Sequence, residues 1–247
     1  MIFHKIGITL PEKGRKRIGM RKIKLWFKKK VYGYDIPDCK NARMWQINPS
    51  DRFLLLAPHA DDETIGCGGF LLKYGAQCDV VVLTDGRYGN SVIKPEQMIE
   101  IRKKEFEEVM SHYAVKSFKM LNVEDGKLID CFRDFATLDF KEYDYVLMPH
   151  PMDFHKDHVA VSCLFKRLNN TRPFAGNIVY YEIWNTLSAP THYIDISDVA
   201  EKKKRLINLY RSQIKNNDFA SRILGLNHYR GIRHHIAYEE DFLIEKI

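Results

Sequence analysis

The run Phe53-Leu-Leu-Leu-Ala57 has no polar face. A strand this uniformly apolar must be covered on both sides, which is the situation of a parallel sheet held between two layers of helices. The chain beyond it keeps the rhythm such a sheet needs. Glu63 to Tyr74 reads as a helix closed by Gly75, Asp79 to Leu83 as a strand, and Pro95 to about His112 as a helix with proline in its first turn. Strands follow near Ser117 to Leu121, Tyr145 to Met148 and Ile178 to Ile183, with a helix at Val159 to Leu168. Asp198 is placed to cap a helix running through Tyr210, and helix-forming segments near the C-terminus complete the layer. The expected architecture is α/β, a mostly parallel sheet with helices on both faces. In such sheets ligands collect beyond the carboxyl ends of the strands.

Composition narrows the class. With 45% hydrophobic and 29% charged residues the chain can bury a core, which excludes disordered and collagenous readings. Five cysteines without a CxxC pair argue against a disulfide framework or a thiolate zinc site, and point to the cytoplasm. No apolar run approaches the roughly 20 residues that span a bilayer, and no secretory leader is recognisable. Thirteen of the 39 Lys and Arg lie in the first fifty residues, against three of the 32 Asp and Glu. The basic character therefore belongs to an arm over residues 1–48, and the body over 49–247 is slightly acidic, which argues against nucleic acid as a partner. If the arm is helical, Met20, Ile23 and Phe27 share one face flanked by lysines. That pattern suits peripheral contact with an anionic inner membrane face, or docking on the body.

Chemistry concentrates in two places. PHADDE, directly after the apolar run, brings together His59, Asp61, Asp62 and Glu63. The first turn of a helix accommodates a carboxylate or two. A histidine with three successive acids needs a cation or shared protons to offset the repulsion. HPMDFHKDH, after the strand ending near Met148, holds His150, Asp153, His155, Asp157 and His158. Imidazole and carboxylate are zinc donors, and three protein ligands with an open fourth position mark a catalytic ion. His59, Asp62 and His158 are the economical ligand set if the two strand ends are neighbours. Asp61 is then a candidate general base and Asp157 a candidate to orient a ligand histidine through its second nitrogen. His155 is a candidate to stabilise developing negative charge or to protonate a departing amine. A phosphate-binding domain and a helix cap or structural cation are the other readings of the same residues.

The pairing of PHADDE with HKDH about 90 residues later resembles the LmbE-like, or PIG-L, family of zinc-dependent N-acetylglucosaminyl deacetylases. Thr84-Asp85-Gly86, Arg102 and Glu105 in R-x-x-E, His150-Pro151, YRSQ at 210–213 and YEEDF at 238–242 resemble the family as well. The likeness covers roughly residues 51–245 and leaves the arm outside. It implies a Rossmann-like fold and a Zn2+-dependent hydrolase of a linear amide, taking acetate from an N-acetylated amino sugar or its conjugate. It carries over His59, Asp62 and His158 as ligands, Asp61 as general base and His155 as auxiliary histidine. Ala60 stands where the most frequent form of the first motif has proline, which frees φ without deleting a ligand or proton acceptor.

The polar loop TDGRYGN, residues 84–90, offers Arg87, Tyr88 and Asn90 as candidates for substrate contact, with Arg102 a further one and Trp184 a weaker one. Arg102 and Glu105 are spaced to pair on one helix. Cys67, inside GCGG, reads as a small packing residue rather than a nucleophile, and the run lacks the spacing of a dinucleotide-binding loop. The competing function is a carbohydrate-binding or membrane-associated protein that retains a metal without turnover.

Overall fold

The computed structural model describes residues 42–214 and 218–246. The basic run between Lys13 and Lys30, and with it the membrane-facing surface expected of the arm, lies outside them. The strands are β1 (Arg43–Met44), β2 (Phe53–Ala57), β3 (Cys78–Thr84), β4 (Ser117–Val123), β5 (Tyr145–Pro149), β6 (Asn177–Tyr181), β7 (His192–Asp195) and β8 (Glu239–Lys246). They form one sheet in the order β1-β7-β8-β6-β5-β2-β3-β4. The helices are α1 (Asp62–Tyr74), α2 (Pro95–Met110), α3 (Phe132–Phe135), α4 (Lys156–Asn169), α5 (Ala200–Ile207), α6 (Arg211–Ile214) and α7 (Phe219–Gly231).

β2 shows why the apolar run dictates the fold. All five of its residues are buried. Phe53, Leu55 and Ala57 enter one core with Phe70 of α1 and Phe106 of α2. Leu54 and Leu56 enter the other with Leu164 and Phe165 of α4. Successive side chains point to opposite faces, so each face of the strand feeds a separate core under its own helices. The pairs β2·β3, β2·β5, β3·β4 and β5·β6 are parallel, the mostly parallel Rossmann-like α/β arrangement the alternation predicts.

The C-terminal part differs from expectation. Tyr238 to Phe242, in the sequence only a family-like motif, leads into β8, which runs antiparallel between β6 and β7. Arg43 and Met44 pair with β7, and Trp45 packs on Phe53 and Phe70, so residues 42–48 sit in the folded body rather than ending an arm. Asp198 pairs with Lys73 rather than capping a helix, and α5 is shorter than predicted, ending at Ile207.

The GCGG run has a packing explanation. A Cβ on Gly66 would strike the Tyr181 ring, and one on Gly69 would strike Ile196. Cys67 is fully buried with its backbone at φ −132°, a kink in α1. There the Glu240 carboxylate accepts from the Gly69 and Phe70 N–H groups at 2.7 and 2.8 Å. Buried Lys203 balances its charge at 2.8 Å. The last strand thus braces the helix that begins at the acidic cluster.

β2 and β5 are parallel neighbours, yet after β2 the chain moves to β3 on one side and after β5 to β6 on the other. This is a switch point, where the outgoing connections diverge and leave a crevice at the carboxyl ends of the strands. PHADDE follows β2 and HKDH follows β5, so the two clusters flank that crevice.

Candidate metal centre

Asp62 is the meeting point of the two clusters. Its Oδ2 accepts from the His59 N–H at 2.9 Å and lies 3.1 Å from His59 Nδ1 and 3.3 Å from His158 Nε2. One carboxylate oxygen therefore touches an imidazole from each strand end. His158 is completely buried and Asp62 is 2% exposed. Against the desolvation that burial imposes, His158 and His59 hold the Asp62 carboxyl well below the usual carboxylate range. Against the same desolvation, Asp62 and Asp153 hold His158 up at about 9.

The far sides of both imidazoles are also occupied. His59 Nε2 lies 3.2 Å from Asp125 Oδ1 and 3.4 Å from Asp157 Oδ2. His158 Nδ1 lies 3.3 Å from Asp153 Oδ1. Asp157 is fixed in turn by the N–H groups of Gly126 and Leu128, at 2.8 and 3.3 Å. Carboxylates behind metal-binding histidines are the usual means of fixing ring orientation. Asp125 and Asp153 come to face the histidines only in the folded chain. Asp125 follows β4 at a strand's carboxyl end, and that position is the signal in the sequence that points to it.

Asp61 turns away from this meeting point. It precedes α1 with φ 152°, a conformation an L-residue rarely takes, and its N–H donates to Glu63 Oε2 at 3.0 Å. Its Oδ1 is bound by the buried guanidinium of Arg102 at 3.0 Å. Burial pushes its carboxyl up from the ordinary value while Arg102 opposes the rise. Glu63, the third acid, is fully buried and hydrogen-bonded by Tyr210 and Thr64. Burial carries it to about 7.

His155 stands over the centre, its ring centroid 4.8 Å from those of both His59 and His158. It precedes α4, and its Nδ1 accepts from the Asp157 N–H at 3.3 Å, leaving Nε2 free of that bond. Burial and the positive neighbours His59 and His158 lower its pKa. His150 lies outside the cluster, beside Tyr180.

The outer candidates are more dispersed. Arg87 folds back on Asp85 at 2.6 Å. Tyr88 is exposed, and its N–H donates to Asp125 Oδ2 at 3.2 Å. Asn90 bridges the Ser212 carbonyl and the Val92 N–H. Arg102 is 2% exposed, behind Asp61. Glu105, three residues on, accepts from the Ser212 N–H and Oγ, both at 2.7 Å, so the R-x-x-E pair divides between two partners. Trp184 packs on Phe219, and its N–H donates to Asp153.

The donors suit a divalent ion. Ligand atoms of His59, His155 and His158 lie within 4.8 Å of one another, as do those of His59, Asp125 and Asp157. Neither ring nitrogen of buried His158 has a well-directed hydrogen-bond partner. Orphaned buried nitrogens are costly, and a cation among imidazoles and carboxylates relieves that cost.

A strand-end cluster able to coordinate a divalent metal thus lies at the switch point of a Rossmann-like α/β sheet. The sequence profile described as PIG-L: GlcNAc-PI de-N-acetylase matches residues 54–168, from β2 into α4. Over these residues the chain matches the PIG-L, or LmbE-like, deacetylase family. It is 27% identical over 191 residues to a diacetylchitobiose deacetylase of Thermococcus kodakarensis, covering 67% of this chain and 71% of the relative. The solved structure of an N,N'-diacetylchitobiose deacetylase from Pyrococcus horikoshii superposes with a TM-score of 0.69 at 24% identity, covering 94% of this chain and 95% of that one. A 4-carboxy-2-hydroxymuconate hydratase from Pseudomonas putida shares the fold at TM-score 0.63 and 16% identity, over 78% of this chain and 95% of its own. That fold therefore hosts more than one reaction, and function follows from the groups at the site rather than from the fold.

Proposed function

We propose that this protein is a zinc-dependent deacetylase that hydrolyses the acetamide of an N-acetylated amino sugar or its conjugate, releasing acetate and the free amine. The observation carrying this reading is that the two adjacent aspartates have different partners. Asp62 touches both imidazoles, while Asp61 is held apart on Arg102.

His59 through Nδ1, Asp62 and His158 through Nε2 would hold the ion. Two imidazoles and a carboxylate with an open position are a catalytic zinc donor set. Nδ1 is favoured at His59 because its Nε2 already faces Asp125 and Asp157. When bound, the ion supplies Lewis acidity toward a water molecule and an amide oxygen. Asp61 takes a proton from the attacking water and delivers it to the departing nitrogen. Arg102 is its positioning residue, keeping the carboxylate off the ion's ligands. His155 meets the developing negative charge on the amide oxygen through Nε2.

Zinc-loaded protein should release acetate from small N-acetylglucosamine conjugates, stop on chelation and resume when zinc is restored. Chelation should also lower the melting temperature, since an ion bound only by the folded state stabilises it. A folded, zinc-loaded protein that releases no acetate from any sugar acetamide would overturn the reading and favour binding without turnover. Asp157→Asn should weaken zinc binding about 10- to 100-fold, the usual effect of losing an outer carboxylate. Competition with a chromophoric chelator measures it, and unchanged affinity would remove Asp157 from that role.

A further inference from the structure

A cavity lies beside the centre and takes no part in the chemistry above. It occupies about 560 Å³ and is lined by residues 89–93, by Ile101 and Glu105 of α2, and by residues 211–213. That is within the range of about 300–1,000 Å³ typical of small-molecule sites. We propose that this cleft binds the uncharged, hydroxyl-rich part of the substrate beyond the ring that carries the acetamide, such as a further sugar residue. The proposal rests on the deacetylase reading.

The chemistry of the lining selects this ligand class. Among the described residues of the wall both charged groups are engaged: Glu105 by the Ser212 N–H and Oγ, and Arg211 by Glu108 at 2.9 and 3.0 Å. The rest of the described lining offers the Ser91 hydroxyl, the second N–H of the Asn90 and Gln213 amides, whose first N–H bonds Ser212 and Gly89, and the apolar side chains of Val92, Ile93 and Ile101. Amides and hydroxyls exchange hydrogen bonds with sugar hydroxyls, and aliphatic groups accept the C–H faces of a sugar ring. A phosphate or carboxylate would meet no uncommitted counter-charge among the described residues.

The cleft adjoins the reacting groups. With the Gln213 amide oriented to suit its neighbours, its nitrogen donates to the Gly89 carbonyl at 3.1 Å and its oxygen accepts from Arg102 Nη1 at 3.3 Å. Arg102 Nη2 is the group that holds Asp61. Gly86, at φ 63°, lets the loop lie against Arg102, since a Cβ there would come 3.1 Å from Nε. Beside Gly89, the Tyr88 N–H binds Asp125, which faces His59. A substrate with its acetamide at the centre therefore has the cleft next to it, across the 86–89 turn.

Zinc-loaded protein should show a KM for N,N'-diacetylchitobiose about tenfold below that for N-acetylglucosamine, equivalent to about 1.4 kcal/mol. N-acetylglucosamine 1-phosphate should gain no such advantage. Ser91→Trp and Val92→Trp, at exposed positions on the lining, should each raise the disaccharide KM to the monosaccharide value while leaving monosaccharide kcat and KM unchanged. Equal KM values for the two sugars in the native protein, or an equal effect of the tryptophans on both, would overturn the proposal. If neither sugar is hydrolysed, saturation-transfer NMR separates the two ideas. Saturation transfer to the disaccharide that disappears in the tryptophan variants would keep the cleft and sink the deacetylase, whereas transfer that persists in them would sink the cleft.

Discussion

Asp61→Asn should lower kcat for acetate release by roughly 10²- to 10⁴-fold, the usual contribution of a positioned general base. Zinc content and sugar KM should stay at the native values. Asp61 Oδ1 binds Arg102 rather than either imidazole of the centre, so the ligands do not depend on it. Asparagine is the informative replacement because its amide oxygen still accepts from Arg102 and only proton uptake is lost. Alanine would also leave a buried guanidinium without its partner, mixing lost chemistry with a damaged fold. Equilibrium zinc stoichiometry, thermal melting and steady-state kinetics on the same preparation separate these effects. Native turnover in a zinc-loaded Asp61→Asn protein would end the assignment.

Lys203→Met should cost about 3–5 kcal/mol of stability, the usual penalty for breaking a buried ion pair from one side. Lys203 is fully buried, with Nζ 2.8 Å from Glu240 and 2.9 Å from Asn227. Without it, Glu240 is left in the core without its counter-charge, still bound to the two N–H groups at the kink of α1. Against a total stability of about 5–15 kcal/mol the loss is large. The urea midpoint should fall with an unchanged slope. The double variant Lys203→Met, Glu240→Gln should recover part of the loss, because glutamine keeps an acceptor for the kink and removes the stranded charge. A single-variant loss below about 1 kcal/mol, in the range of exposed ion pairs, would show that the pair does not hold the helix.

The same kink shows how function and packing are interleaved in the motifs. GCGG and YEEDF lie far apart in the chain, and neither contributes a group to the reaction proposed here. They meet where Glu240 enters the break in α1, near the two aspartates that begin that helix. YRSQ behaves similarly: Tyr210 binds Glu63, Ser212 binds Glu105, and Gln213 reaches Arg102. These bonds join elements more than 100 residues apart, and no local periodicity encodes them.

What the sequence by itself determined is local: an apolar run with no wet face, helix spacing between the strands, and acids and histidines at two strand ends. Those features give the parallel core of the sheet and both halves of the centre, because burial and strand-end chemistry are written in adjacent residues. Tertiary structure alone decided that β8 enters antiparallel between β6 and β7, that Arg102 faces Asp61 instead of solvent, and that Asp125 and Asp153 stand behind the histidines. Each depends on which strands become neighbours and how far a side chain reaches across the crevice. Such long-range pairings are settled by the packing of the whole sheet, which no stretch of sequence carries alone.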